Sequence, residues 1–305
     1  MRRNLAIQLL HGFCMGVADI IPGVSGGTIA LMFGIYDRLI RQISNISAAL
    51  TSLIRRDLDR CIRQIRQVEW GFLCSLLLGI LLALALLVGS LRNLIHDYPV
   101  AISSLFFGVV AASAVIARRE ISRWRLSLYI LFIVSSATTF ALLGIRSGSL
   151  REPGTYMIFI AGAIAICAMV LPGVSGSFIL LMLGLYDHAI GALEQFELSV
   201  LSLYLSGAVV GVLAFSRALN VLLRKYRDLV VALLLGLMIG SLRVLWPWPS
   251  DNGGLENTRL GFPENNEIFG ASIAVLVGVL LVGLIMKLAR VAENFRSNDA
   301  LQTPS

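Results

Sequence analysis

The chain has 305 residues, 57% of them hydrophobic and only 14% charged, with a mean hydropathy of +0.83. That composition excludes a soluble globular domain and points to an all-α, polytopic integral membrane protein. The net charge of +7 is read by location, because membrane proteins sort Lys and Arg by side, and it gives no reason to expect a nucleic-acid partner. Cys14, Cys61, Cys74 and Cys167 show no CxxC or metal spacing and read as small apolar fillers. With histidines only at 11, 96 and 188, no metal site is expected, and no organic cofactor.

At the N-terminus Arg2 and Arg3 precede a short apolar stretch, 5–18, the outline of a secretory signal. The stretch also belongs to a repeat, which favours a structural helix. It leads into "DIIPGVSGGTIALMFGIYDRLI", 19–40, where Pro-Gly and Ser-Gly-Gly interrupt a membrane-grade apolar run. Shifted by 150 residues, 22–40 meets 172–190, "PGVSGSFILLMLGLYDHAI", with 12 of 19 positions identical. A second gapless correspondence follows, 79–113 with 207–241, at an offset of 128, pairing Gly79/Gly207, Leu94/Leu222, Tyr98/Tyr226, Gly108/Gly236 and Ser113/Ser241. The first half therefore holds 22 extra residues, for which the Arg-rich stretch 53–70 is the candidate.

These matches divide the chain into halves, 1–147 and 148–305. Each half is expected to hold a re-entrant broken-helix hairpin and three membrane helices. In the first, the hairpin is 5–36, an Arg-rich cytoplasmic insert covers 38–69, and helices span 70–91, 100–117 and 126–144. In the second, the hairpin is 156–186 and the helices span 199–223, 229–245 and 269–287. The six spans are 17 to 25 residues long, enough for a hydrocarbon core of roughly 30 Å. The hairpin arms 5–20 and 24–36 are shorter, 16 and 13 residues, which suits re-entry better than crossing.

With the N-terminus inside, the cytoplasmic segments hold 19 of the 25 basic residues. Asp97, Glu152, Asp187, Glu194, Glu197, Asp251, Glu256, Glu264 and Glu267 lie opposite. That is a positive-inside pattern with both termini cytoplasmic. Three crossings separate the two motifs, so the hairpins enter from opposite sides and the repeats have inverted topology, a recurring architecture of secondary transporters. The insert reads as an amphipathic or looped segment against anionic headgroups, or as a plain topology anchor.

Irregular backbone survives at membrane depth only when it is buried in protein or lines a polar cavity. Pro22 and Gly23, with Pro172 and Gly173, are the expected hinge or tip positions. Beyond them, Ser25, Gly26, Gly27 and Thr28, and Ser175, Gly176 and Ser177, would open new helices. Their free amides and positive dipole ends form candidate sites for a phosphate or carboxylate. Small residues that merely allow tight helix crossing are the competing explanation. Gly23-Val24-Ser25-Gly26-Gly27 also satisfies G-x-S-x-G, but the second copy ends in Ser177, no strand precedes either, and no histidine recurs, so hydrolase chemistry is not expected.

Asp19, whose counterpart is Met169, is a candidate for coupling Na⁺ or H⁺, or for capping the loop. Arg217 and Arg243 are candidate phosphate contacts that could instead snorkel to an interface. Asp37 and Asp187, at the hairpin exits, read as helix-end and interface residues.

The doubled motif, "ADIIPGVSGGTIALMFGIYDRLI" with "LPGVSGSFILLMLGLYD", and a later "LWPW" resemble the PopT family of bacterial polyprenyl-phosphate transporters, over nearly the whole chain. The resemblance implies a translocase of the bacterial inner membrane that returns undecaprenyl phosphate from the outer to the inner leaflet. It places the implicated positions at Asp19, 22–28 and 172–177. Rival classes are an ion-coupled transporter of a small soluble anion and a lipid-phosphate phosphatase. The sequence does not fix oligomeric state.

Overall fold

The computed structural model describes residues 2–19, 25–144, 153–248, 260–263 and 267–301. The boundary expected at 147/148 and the tip residues Pro22 and Gly23 lie outside them. The described helices are α1 (Arg2–Asp19), α2 (Gly26–Met32), α3 (Tyr36–Ile54), α4 (Leu58–Arg66), α5 (Trp70–Asp97), α6 (Pro99–Ala117), α7 (Leu126–Leu142), α8 (Thr155–Val170), α9 (Gly176–Met182), α10 (Tyr186–Glu194), α11 (Leu198–Ser241) and α12 (Glu267–Leu301). Four contain windows long and apolar enough to cross a membrane: Trp70–Leu87, Pro99–Glu120, Leu198–Lys225 and Glu267–Leu284. Two expected crossings are shorter: α7 has 17 residues, and 229–245 forms the end of α11 and the turn after it. Rows of exposed leucines on α5, α11 and α12, such as Leu77, Leu78 and Leu81, suit contact with acyl chains.

α11 is two helical arms. Tyr226, at φ −135° and ψ 43°, interrupts it. Tyr98 separates α5 from α6 with nearly the same backbone, φ −132° and ψ 56°, so the residues matched in sequence also share a conformation.

Helix packing repeats in the same way. Gly12 of α1 and Gly79 of α5 face each other, each against the carbonyl oxygen three residues before the other, those of Leu76 and Leu9. Gly162 of α8 and Gly207 of α11 do the same with Tyr204 and Phe159. These pairs are related by the two sequence offsets. Without a Cβ the backbones close on one another, which supplies dispersion and Cα–H···O contact where lipid gives helices no hydrophobic drive to associate. Gly16 continues the first contact onto Ile80 and Ala83, so α1 and α5 run in the same direction. Gly108 and Gly278 form a third pair, joining α6 to α12, while Gly236 and Gly240 seat the second arm of α11 on α7. The third long helix of each half thus packs on the other half.

The hairpin exits differ from expectation. The expected arm 24–36 contains a helix of seven residues, α2, and its counterpart α9 is equally short. Gly34 and Gly184 stop them with φ of +69° and +71°. In both, the next residue's amide reaches back five positions, Ile35 to Ala30 and Leu185 to Leu180, which closes a Schellman cap. α3 and α10 start two residues later.

α3 has 19 residues and α10 has nine, and both end through a positive-φ residue, Arg56 and Phe196. The extra length of the first half is thus the distal part of α3 plus α4, folded as a helical hairpin. It begins within α3, upstream of the stretch expected from sequence. Arg38 and Gln42 of α3 both bind Glu69 at the start of α5, Gln42 Nε2 at 2.8 Å, and so clamp the hairpin to the bundle. The Arg38 hydrogen bond and charge hold the Glu69 carboxyl below the usual carboxylate range.

On the far side, Trp246 donates to the Gly261 carbonyl at 3.0 Å and Trp248 accepts from the Gly261 amide at 2.7 Å, which tethers 260–263 to the LWPW segment.

Candidate functional site at the paired helix breaks

The chemistry of the site begins with where the broken segments put their backbone. α2 is buried along its whole length, with Ser25 at 1% exposure and Thr28 at 0%. It lies where the two motifs meet. The Ser25 hydroxyl donates to the Met169 carbonyl at 2.7 Å, and the Gly173 amide donates to Thr28 Oγ1 at 2.9 Å. A Cβ on Gly27 would stand 2.7 Å from the Val170 oxygen and 3.3 Å from the Pro172 nitrogen. Glycine at 27 is therefore required by the close approach of the second break.

Gly173 has φ +84°, and a Cβ there would meet the Met238 Cα at 2.6 Å. Pro172, Gly173 and Val174 are buried. The second break thus sits between α2 on one side and the second arm of α11 on the other.

The two breaks differ in electrostatics. At the first, the amides opening α2 are already committed: Gly26 to Asp19 Oδ1 at 2.6 Å, Gly27 to Ser25 Oγ at 3.1 Å, and Thr28 to the Ser25 carbonyl at 2.8 Å. Asp19 Oδ1 caps this helix start, and the anion there is the protein's own.

At the second, Met169 replaces the aspartate. Ser175 and Ser177 bond each other through their hydroxyls at 2.8 Å. Among the described residues, the amides of Gly176 and Ser177 have no hydrogen-bond partner. One break is self-neutralised and the other presents donors.

The two candidate arginines stand elsewhere. Arg217 Nη1 donates to Thr51 Oγ1 at 2.7 Å, at the far end of α3. Arg243 lies over the Phe140 ring, 4.6 Å from its centroid, and donates to the Phe140 carbonyl at 3.2 Å at the end of α7. Neither makes a hydrogen bond to a break residue among the described residues. Asp37 does more than end a helix: its Oδ2 accepts from Arg227 Nε at 2.9 Å, and Arg227 Nη2 reaches Glu120 Oε2 at 2.6 Å. Glu120 first, and Asp37 with it, hold the Arg227 guanidinium protonated above its ordinary range. The Asp187 side chain lies outside the described residues.

Reasoning from sequence missed the Thr28–Gly173 bond and the Arg227 cluster. The signal available was asymmetry, since Thr28 faces Phe178 and Arg227 faces Pro99 in the repeat alignment. At these two positions a polar group present in one copy alone binds the other half.

Comparison with known proteins finds two named relatives and one family. A polyprenyl-phosphate transporter of Vibrio cholerae serotype O1 is 41% identical over 245 residues, covering 80% of this chain and 79% of the relative. A polyprenyl-phosphate transporter of Staphylococcus aureus is 29% identical over 304 residues, covering 92% and 95%. No solved structure gives a significant match. The profile of the undecaprenyl phosphate translocase-like family matches residues 15–259, a stretch that takes in both breaks, the Gly162–Gly207 crossing and the Tyr98 and Tyr226 interruptions, and the chain belongs to that family.

Proposed function

We propose that the protein is a secondary transporter that carries undecaprenyl phosphate from the outer to the inner leaflet of the bacterial cytoplasmic membrane. The phosphate head is held where the two breaks meet, and the prenyl tail remains in lipid. The single observation that carries this reading is the direct bonding of the two breaks, Ser25 to Met169 and Thr28 to Gly173. It makes one site from residues of both halves, as alternating access between two halves demands. The amides of Gly176 and Ser177 are the open donors, Ser175 and Ser177 add hydroxyls, and Ser25, Gly26, Gly27 and Thr28 form the opposing wall. The names of the relatives supply the substrate class.

Two inverted repeats, 1–147 and 148–305, with cytoplasmic termini fit this reading. It is supported by the recurring glycine contacts and by α1 and α5 running in the same direction, as they would if α2 returned the chain to its side of entry. Asp19 Oδ1 is committed to Gly26, while Oδ2 remains for a Na⁺ or a proton as coupling ion.

Proteoliposomes carrying a fluorescent polyprenyl phosphate and a membrane-impermeant quencher test the reading. Protein-dependent exchange between leaflets is expected for the phosphate and not for the neutral polyprenol, and it should fall in Ser175→Ala/Ser177→Ala. Uptake of inorganic anions without lipid exchange would replace it with a soluble-anion transporter. Release of inorganic phosphate would indicate a phosphatase.

A further inference from the structure

A second basic feature stands apart from the breaks. The α3–α4 hairpin and α11 enclose a cavity of about 310 Å³ lined by Thr51, Ser52, Arg55, Asp57, Arg60, Gln64 and Arg217. Three of those side chains are guanidinium groups, and among the described residues none of the three makes an ion pair. The one carboxylate, Asp57, spends Oδ1 on the Arg60 amide as the N-cap of α4. Like charges gathered around one cavity repel, and a shared anion removes that cost while gaining charge-assisted hydrogen bonds.

The neutral groups are arranged to keep the arginines in place. Thr51 Oγ1 accepts from Arg217 while its own proton goes to the Ser47 carbonyl at 2.9 Å. Ser52 donates to Gln64 Oε1 at 2.9 Å, which leaves the Gln64 amide protons as further donors. A water takes about 30 Å³ in the liquid, so the cavity has room for a phosphate group and several waters.

The hairpin also carries an apolar, exposed face. Ile54 and Leu58 flank the turn between the two helices, and Ile62 and Ile65 continue one face of α4 at helical spacing. A surface of this kind lies in a bilayer interface with its arginines among the headgroups. A hairpin held in that interface brings its cavity within reach of a phosphate carried on a lipid or in water.

We propose that Arg55, Arg60 and Arg217 form a phosphate-anion site between the α3–α4 hairpin and α11, separate from the site at the paired breaks. It does not rest on the transport reading, since its evidence is the cavity and its unpaired cations.

The test uses native mass spectrometry of the purified full chain in detergent with three probes: a phosphatidic acid, the matching diacylglycerol and inorganic phosphate. One phosphatidic acid per chain should survive where diacylglycerol is lost. Its dissociation constant should rise at least about tenfold in Arg217→Gln and in Arg55→Gln/Arg60→Gln, the scale of one or two lost charge-assisted bonds. The control Arg63→Gln/Arg66→Gln removes the same charge from the same hairpin outside the cavity lining and should change it less than about twofold. Displacement by inorganic phosphate would mean that the site takes the free ion; persistence of the lipid would mean that it takes a lipid headgroup, and either supports a phosphate site. Equal weakening by both double variants, or equal retention of the diacylglycerol, would overturn it. Arg55 and Arg60 are exposed, so their variant remains informative should Arg217→Gln fail to fold. Lipid exchange that survives loss of this binding would leave the function of the breaks intact.

Discussion

The Ser25 hydroxyl and the Met169 carbonyl, 144 positions apart, are joined by a hydrogen bond of 2.7 Å. The same oxygen of Ser25 accepts the Gly27 amide, so one buried side chain caps a helix and fastens it to the other half. Ser25→Ala leaves the Met169 carbonyl and the buried Gly27 amide without that partner, at a cost of about 1–3 kcal/mol. Ser175→Ala loses only the bond to Ser177, with an expected cost of about 1 kcal/mol. Thermal unfolding in detergent should rank Ser25→Ala clearly below Ser175→Ala; equal midpoints would show that the inter-half bond contributes nothing.

Gly173 and Gly191 allow a matched test of what glycine is for. At Gly173 the positive φ and the 2.6 Å approach to the Met238 Cα both forbid a side chain. Gly173→Ala must move either the second break or α11, and an expected cost of at least about 2 kcal/mol follows from left-handed strain together with overpacking. Gly191 sits inside α10 with nothing within 4 Å of a Cβ. Gly191→Ala should raise stability by up to about 1 kcal/mol through helix propensity. Expression yield and unfolding midpoint read both, and tolerance of alanine at 173 would mean that the break adopts another backbone.

Much of this fold was legible in the sequence because its repeats are written in residue types with few substitutes. Gly79 and Gly207 align because the same close crossing needs them. Tyr98 and Tyr226 align and prove to share a backbone conformation. The paired breaks were legible for a similar reason, since Pro-Gly and Ser-Gly at membrane depth demand burial. The short α2 was less legible: the arm reads as a continuous apolar stretch, and only the φ of Gly34 decides where it stops. Nor could sequence show that Asp19 fills the first break, because a carboxylate seven residues before an amide becomes its partner only once the chain has turned back. Arg217 stands out in the sequence as a cation in a crossing helix, but its neighbours come from α3 and α4, whose placement no local pattern records.

Glu69 ties the α3–α4 hairpin to α5 and carries a definite pH dependence. Hydrogen bonding and charge from Arg38 lower its folded-state pKa beneath the ordinary 4.5. A depressed carboxylate contributes stability above its unfolded pKa, and that contribution is lost as pH falls through the folded value. The clamp should therefore hold at neutral pH and release as pH falls below the ordinary 4.5 and through the lowered folded value. Hydrogen exchange of α3 and α4 should rise in that range relative to the α1–α5 pair, after correction for intrinsic exchange rates. Glu69→Gln should show the faster exchange already at pH 7 and little further change on acidification. A hairpin equally protected at pH 7 in both forms would exclude Glu69 as the tie.

Arg227 bonds two carboxylates from the first half, Asp37 through Nε and Glu120 through Nη2, and also donates to the Glu120 carbonyl at 2.8 Å. The cluster holds the foot of the second α11 arm against the starts of α3 and of the loop after α6. Its members are partly exposed, Arg227 at 41%, so each pair is worth about 0.2–1 kcal/mol and not the figure of a buried bridge. The fork matters as much as the charge: a lysine cannot reach both carboxylates in one plane. Arg227→Lys should therefore lose most of the stabilisation that Arg227→Gln loses. A double-mutant cycle of Arg227→Gln with Glu120→Gln should give a coupling of about 0.5–1 kcal/mol, reduced at high salt. If the halves rock during transport, this cluster must open on one side of the cycle. Arg227→Gln should then change the rate of lipid exchange while leaving phosphatidic acid binding within about twofold of wild type. Zero coupling together with an unchanged exchange rate would reduce the cluster to a surface ornament, with no part in the contact between halves.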